Sequence, residues 1–282
     1  MTKSIDFSDQ RLPAIGQGTW YMGEESSQRK QEVAALQAGL EHGLTLIDTA
    51  EMYADGGAEE VVGEALRGRR DSAWLVSKVY PWNAGVVDAA EACERSLRRL
   101  QTDYLDLYLL HWRGGVPLEE TILAMEKLQR AGKIRRWGVS NFDVSDLNEL
   151  LAEEGGEACA ANQVLYHLAS RGIEYDLLPE CRQKAIPVMA YCPLAQAGRL
   201  RHDLMTHTLL NQIAQQKSIT VAQLLLAWVI RQEGVMAIPK ASSVQHVAEN
   251  AAALEVTLSS EELALINEAF PPPDRKLPLD LV

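Results

Sequence analysis

Asp48, Tyr53, Lys78 and His111 each close a short apolar run or stand just beyond one. The runs are Leu44-Thr45-Leu46-Ile47, Trp74-Leu75-Val76-Ser77 and Leu105-Asp106-Leu107-Tyr108-Leu109-Leu110, with Tyr53 in the loop after Asp48. An acid, a phenol, an amine and an imidazole are costly beside apolar core unless they meet and hydrogen-bond one another. Together they suit proton donation. A free phenol, with a pKa of about 10, gives up little proton near neutrality. Lys78 beside it, partly neutralised by Asp48, is expected to stabilise the phenolate and lower that pKa. Tyr53 would then protonate a carbonyl oxygen as a general acid, while His111 orients the carbonyl and stabilises its developing charge. A proton alone reduces nothing, so a hydride must come from a cofactor.

Placing four such groups on one rim requires successive strand ends. Strands are predicted at 14–20, 44–48, 74–79, 105–111, 134–139, 158–164, 186–191 and 235–238. Helical periodicity covers 27–42, 58–69, 86–100, 119–130, 144–153, 174–184, 220–231, 245–253 and 259–269, with Asp143 and Thr220 as N-caps. Parallel strands need such crossovers, and eight of them close a (β/α)8 TIM barrel of the α/β class in a single domain, residues 1–282. A doubly wound open sheet shares the alternation and is the competing architecture.

Composition narrows the function classes. The 282 residues carry a net charge of -12, and the longest basic clusters in the body of the chain are Arg pairs, which argues against nucleic acid as a partner. No apolar run is long enough to span a bilayer, and Met-Thr-Lys-Ser-Ile-Asp at the N-terminus shows no export signal. Cys93, Cys159, Cys181 and Cys192 are scattered without metal-ligand spacing, so the expectation is a cytoplasmic protein with free thiols and no metal.

The stretches Leu46-Ile47-Asp48-Thr49-Ala50-Glu51-Met52-Tyr53, Val76-Ser77-Lys78 and Leu105 through Trp112 resemble signatures of the aldo-keto reductases. So do Gly138-Val139-Ser140-Asn141-Phe142, Asn162-Gln163, Ala190-Tyr191-Cys192-Pro193-Leu194 and Ile238-Pro239-Lys240, in order along nearly the whole chain. The resemblance is greatest to bacterial members described as methylglyoxal or general aldehyde reductases. It implies an extended nicotinamide dinucleotide bound on a barrel, consistent with the lack of a G-x-G-x-x-G turn. By the same resemblance Ser140, Asn141 and Gln163 would hold the carboxamide, Tyr191 would stack on the ring, and Asp48 would border it. Gly18, Thr19 and Trp20 would flank nicotinamide and pyrophosphate. Cys192, Pro193, Leu194, Gln196 and Gly198 would follow the pyrophosphate.

The adenosine end departs from the family pattern. Lys240, Ser242, Ser243, Glu249 and Asn250 are in place, but Ala241 stands where a hydroxyl is usual and His246 where an arginine is usual. Imidazole is a poor substitute for a bidentate phosphate partner. The expectation is NADPH as cofactor, held less firmly than in typical members, with some NADH use. Trp20, Tyr21, Trp82, His111 and Trp112 are expected to wall an open substrate pocket, given short connections after His111 and Ala269. Small reactive aldehydes, dicarbonyls such as methylglyoxal, aromatic aldehydes and some ketones fit that description, acted on by a monomer. The alternative is a non-catalytic nicotinamide-binding regulatory subunit on the same barrel. A lyase using a Lys78 Schiff base would leave Tyr53 and His111 without a task.

Overall fold

The computed structural model describes residues 3–7 and 9–282. Met1, Thr2 and Ser8 lie outside the described residues, and with Met1 and Thr2 goes part of the N-terminal run considered above for export. The chain opens with an antiparallel hairpin, β1 (Ser4–Phe7) and β2 (Gln10–Pro13), followed by β3 (Gln17–Gly18) and α1 (Arg29–Glu41). Strand–helix units then follow: β4 (Leu46–Asp48) and α2 (Gly57–Ala65), β5 (Trp74–Val79) and α3 (Val86–Leu100), β6 (Leu105–Leu110) and α4 (Leu118–Arg130). Next come β7 (Ile134–Ser140) and α5 (Val144–Ala152), then β8 (Cys159–Leu165) and α6 (Leu177–Gln183). After β9 (Val188–Tyr191) lie α7 (Arg199–Thr206), α8 (Thr208–Gln216) and α9 (Val221–Val229). The chain finishes with β10 (Val235–Ala237), α10 (Val244–Ala252) and α11 (Ser260–Ala269).

Strands β3 to β10 pair in parallel and in chain order. The ring closes where the β3 region meets β10. Gly16 N–H donates to Ala237 O at 2.8 Å and Gly18 N–H to Pro239 O at 3.0 Å. A Cβ on Gly18 would stand 2.7 Å from the Ile238 carbonyl oxygen, so this seam needs glycine for close approach. The result is a (β/α)8 barrel, not the open sheet.

Side-chain parity explains the core. Leu46, Trp74, Val76, Leu107, Leu109, Ala161, Met189, Met236 and Ile238 form an inner cluster, while Ile47, Leu75, Tyr108, Leu110, Val188 and Ala237 belong to the layer beneath the helices. Strands buried on both faces read as largely apolar runs; β5 and β6 are buried throughout and are broken only by Ser77, Lys78 and Asp106. The hairpin contributes Ile5, Phe7 and Leu12 to the inner cluster, and Phe7 meets Trp74 at the start of β5 with ring centroids 5.0 Å apart. It therefore plugs the N-terminal end of the barrel.

Asp143 and Thr220 both cap their helices in reciprocal capping boxes, as their types anticipate. Some elements differ from the sequence reading. The hairpin was not anticipated, nor were α7 and α8, and the first barrel strand is ordered as a ladder only at Gln17–Gly18. Among the described residues no helix is long and apolar enough to cross a membrane.

Candidate active site

The inward file that holds Leu46 on β4 ends at Asp48, and the file of Trp74 and Val76 on β5 ends at Lys78. Leu107 and Leu109 on β6 lead to His111. On β8 and β9 the inward residues after Ala161 and Met189 are Gln163 and Tyr191, and the file that holds Met236 on β10 continues through Ile238 to Lys240. Period-two alternation along parallel strands of similar height delivers these polar ends to one layer at the C-terminal rim.

Lys78 is fully buried. Its ammonium has three N–H groups and meets three acceptors: Asp48 Oδ2 at 2.8 Å, the Thr49 carbonyl at 2.9 Å and the Tyr53 hydroxyl oxygen at 3.0 Å. Because the Tyr53 oxygen accepts from Lys78, its own hydrogen is free to point into the adjoining cavity, which Tyr53 lines. Asp48 Oδ1 accepts from Gln163 Nε2 at 2.8 Å, so the carboxylate is held from both sides. The His111 ring packs edge-on against Tyr53, centroids 5.8 Å apart.

Burial pulls the Lys78 pKa below 10.5, with the Asp48 carboxylate opposing that. Tyr53 departs from the sequence expectation: burial first, and then the charge of Asp48, push the phenol well above 10.0 rather than below it. In the resting site desolvation of a would-be phenolate is the largest cause. His111 is pushed from 6.5 to about 3 by burial and by Lys78, so its ring is neutral. Its Nδ1 is buried and without a partner.

The cavity above this cluster has a volume of about 310 Å³. Gly18, Thr19, Trp20 and Tyr21 line one wall, and Ser140, Asn141 and Gln163 another. Tyr191, Cys192, Pro193, Leu194 and Gln196 line a third, with Lys240, His111 and Trp112 completing the set anticipated from sequence. Asn141 has a left-handed backbone (φ 60°). Its Nδ2 donates to the His111 carbonyl at 3.2 Å, and its Oδ1 accepts from the Tyr191 hydroxyl at 2.9 Å. Those bonds lock the plane of the Tyr191 ring. Gln163, which lines the cavity, uses Nε2 on Asp48 and so leaves its Oε1 as an acceptor. Buried Ser242 Oγ has no partner. These donors and acceptors fit a flat ring bearing a carboxamide, and Lys240 adds a cation to the same cavity.

Other residues fall elsewhere. Trp82 does not line the cavity; it is 61% exposed and stacks on Tyr80, with Trp112 edge-on at 5.8 Å. Gly198, Ala241, Ser242, Ser243, His246, Glu249 and Asn250 also lie outside the cavity. Ser243 caps α10, accepting from the His246 N–H at 3.2 Å, and the His246 side chain is exposed. Met52, Arg201, Ile238, Pro239 and Val282 line the cavity without having been anticipated as site residues, and Ala195 and Ala197 line it from the loop Pro193 to Gly198 expected along the pyrophosphate. Ile238 and Pro239 stood inside a quoted motif and Met52 beside Tyr53; Arg201 and Val282 arrive through tertiary folding alone. The segment after α11 folds back over the rim, tied by Lys276 to Asp143 and Asp176 and by the Ser170 hydroxyl to Asp280.

A model of the aldo/keto reductase family matches residues 14–270. The chain is similar to methylglyoxal reductase YeaE of Escherichia coli (strain K12), 66% identical over 281 residues, 99% of each chain. It is 35% identical over 261 residues to glyoxal reductase of Bacillus subtilis (strain 168), covering 91% of this chain and 88% of the relative. Two crystal structures of an aldo-keto reductase from Klebsiella pneumoniae, one with NADP and acetate and one with NADPH, superpose with TM-score 0.98. They share 66% sequence identity and cover 100% of both chains.

Proposed function

The chain belongs to the aldo/keto reductase family, and from that premise we propose that it reduces aldehydes and some ketones to alcohols using NADPH. The observation that carries this reading is the Asp48–Lys78–Tyr53 cluster at 2.8 and 3.0 Å on the floor of a cavity beside neutral His111. Bound NADPH supplies the hydride that no side chain can. Tyr53 donates the proton: its raised pKa keeps the phenol protonated at rest, and the Lys78 ammonium is already placed against the oxygen where negative charge develops. His111 orients the carbonyl oxygen through its cavity-side nitrogen. Tyr191, Asn141, Ser140 and Gln163 hold the nicotinamide end.

Methylglyoxal and related small dicarbonyls are the proposed substrates, supported by the names of the relatives and by the aromatic wall of Trp20, Tyr21 and Trp112. Lys240 anchors a phosphate as a point charge, with some NADH turnover because exposed His246 offers no guanidinium. The proposed setting is a cytoplasmic monomer acting on small carbonyl compounds, without nucleic-acid partners. The test follows NADPH deuterated at C4 in the presence of methylglyoxal: deuterium is expected on the new alcohol carbon. Cofactor binding without oxidation by any aldehyde would instead favour a regulatory subunit.

A further inference from the structure

The inward file of β5 ends at Lys78, but Ser77 before it faces the layer between barrel and helices. There its hydroxyl donates to Glu59 Oε1 at 2.6 Å. Glu59 stands on α2 and has 0% exposure. Its Oε2 accepts from Arg99 Nε on α3, also at 2.6 Å. A carboxylate so far from water persists only when its oxygens are satisfied, and here both are, from two different elements.

Arg99 reaches Glu59 by lying across Gly56. The Gly56 backbone is left-handed (φ +91°), and a Cβ there would stand 2.6 Å from Arg99 Cδ and Nε. Gly56 closes the short turn that begins at Tyr53, and the intervening Ala54 and Asp55 are both left-handed at φ 51°. Such backbone is unfavourable for residues with a side chain and persists when its surroundings hold it. Glu59 therefore ties the strand bearing the ammonium to the helix that continues from the phenol's turn.

We propose that Glu59, clamped by Arg99, is a positioning residue that sets the contact between Lys78 and Tyr53 from behind the site. This rests on the reading of Tyr53 as proton donor. Inside the barrel Lys78 is faced by Asp48 from β4, by Tyr53 and by His111 just after β6, while the charge of Glu59, paired with Arg99, acts on it from the helix side of β5. The Glu59 charge favours the ammonium form of Lys78, so removing it lets Lys78 lose its proton at lower pH.

Glu59→Gln, Ser77→Ala and Tyr53→Phe are compared in steady-state kinetics with NADPH and methylglyoxal. Glutamine keeps an acceptor for Ser77, and Arg99, with a side chain 24% exposed, can turn to water, so Glu59→Gln retains the fold. Its kcat should fall about tenfold or more, as for misplaced catalytic groups. KM for the carbonyl and the NADPH dissociation constant, read from protein fluorescence, should stay within about twofold, since only positioning is lost. The alkaline limb of kcat should move to lower pH in Glu59→Gln and stay in place in Ser77→Ala, whose kcat also falls. Unchanged kcat in both variants beside an inactive Tyr53→Phe overturns the positioning role alone. So does a kcat loss with an unmoved limb and weakened cofactor binding, which marks a merely structural residue. An active Tyr53→Phe would remove the underlying reading and the inference with it.

Discussion

Lys78 donates to the Tyr53 hydroxyl oxygen across 3.0 Å while its other two protons are taken by Asp48 and the Thr49 carbonyl. With every donor satisfied, the ammonium is a fixed charge in a dry place, and fixed charge needs no reorganisation when a proton leaves the phenol. The contact is also structural, because it neutralises a carboxylate that is only 2% exposed.

Removing the ammonium should therefore damage stability as well as activity. Lys78→Met leaves Asp48 with Gln163 as a neutral partner, and breaking a buried pair from one side destabilises by about 3–5 kcal/mol. Denaturant unfolding measures this. A loss below about 1 kcal/mol would place the pair in the range of exposed ion pairs.

His111 makes stability depend on pH in a definite direction. Its folded pKa lies near 3 against an ordinary 6.5. Between those values the unfolded ring takes up a proton that the folded ring refuses. The stability this contributes is present above the unfolded value and is lost as pH falls toward the folded one. His167, lowered to about 4 by burial, acts in the same sense. Melting temperatures taken from about pH 7 to about pH 4 should decline less steeply in His111→Gln than in the wild type. Equal slopes would mean that His111 already titrates normally in the folded protein.

Cofactor preference should respond to position 246. The side chain there is exposed on α10, close in sequence to the Ser243 cap and to unpartnered Ser242. His246→Arg adds a bidentate donor and should tighten NADPH several-fold, on the order of 1 kcal/mol. NADH binding and kcat should be unaffected. Titration with both cofactors decides it, and equal tightening of the two would place the new guanidinium away from the 2′-phosphate.

The barrel was legible because each inward file announces itself: Leu46 then Asp48, Val76 then Lys78, Leu109 then His111. Two-sided burial made those strands largely apolar runs, and capping residues such as Thr220 marked helix starts. The hairpin escaped because Ser4–Phe7 is too short for alternation to stand out. Helix α7, Arg-Leu-Arg-His-Asp-Leu-Met-Thr, carries no apolar stripe beyond Leu204 buried against the core. Trp82 was misplaced because nearness to Lys78 in sequence does not settle which way the turn after β5 faces. Stacking on Tyr80 holds its indole outside the cavity. The direction of the Tyr53 pKa shift was unreadable for a different reason: its largest cause is burial, to which the Asp48 charge adds, and burial is a property of the whole rim.

The central claim is that the proton reaching the carbonyl oxygen comes from the Tyr53 hydroxyl. Tyr53→Phe removes that one oxygen and leaves Asp48, Lys78 and the nicotinamide-side residues in place. With methylglyoxal, kcat is predicted to fall by about 10²–10⁴-fold, the usual contribution of a positioned acid, with NADPH binding preserved. Turnover at the wild-type rate would contradict the account outright.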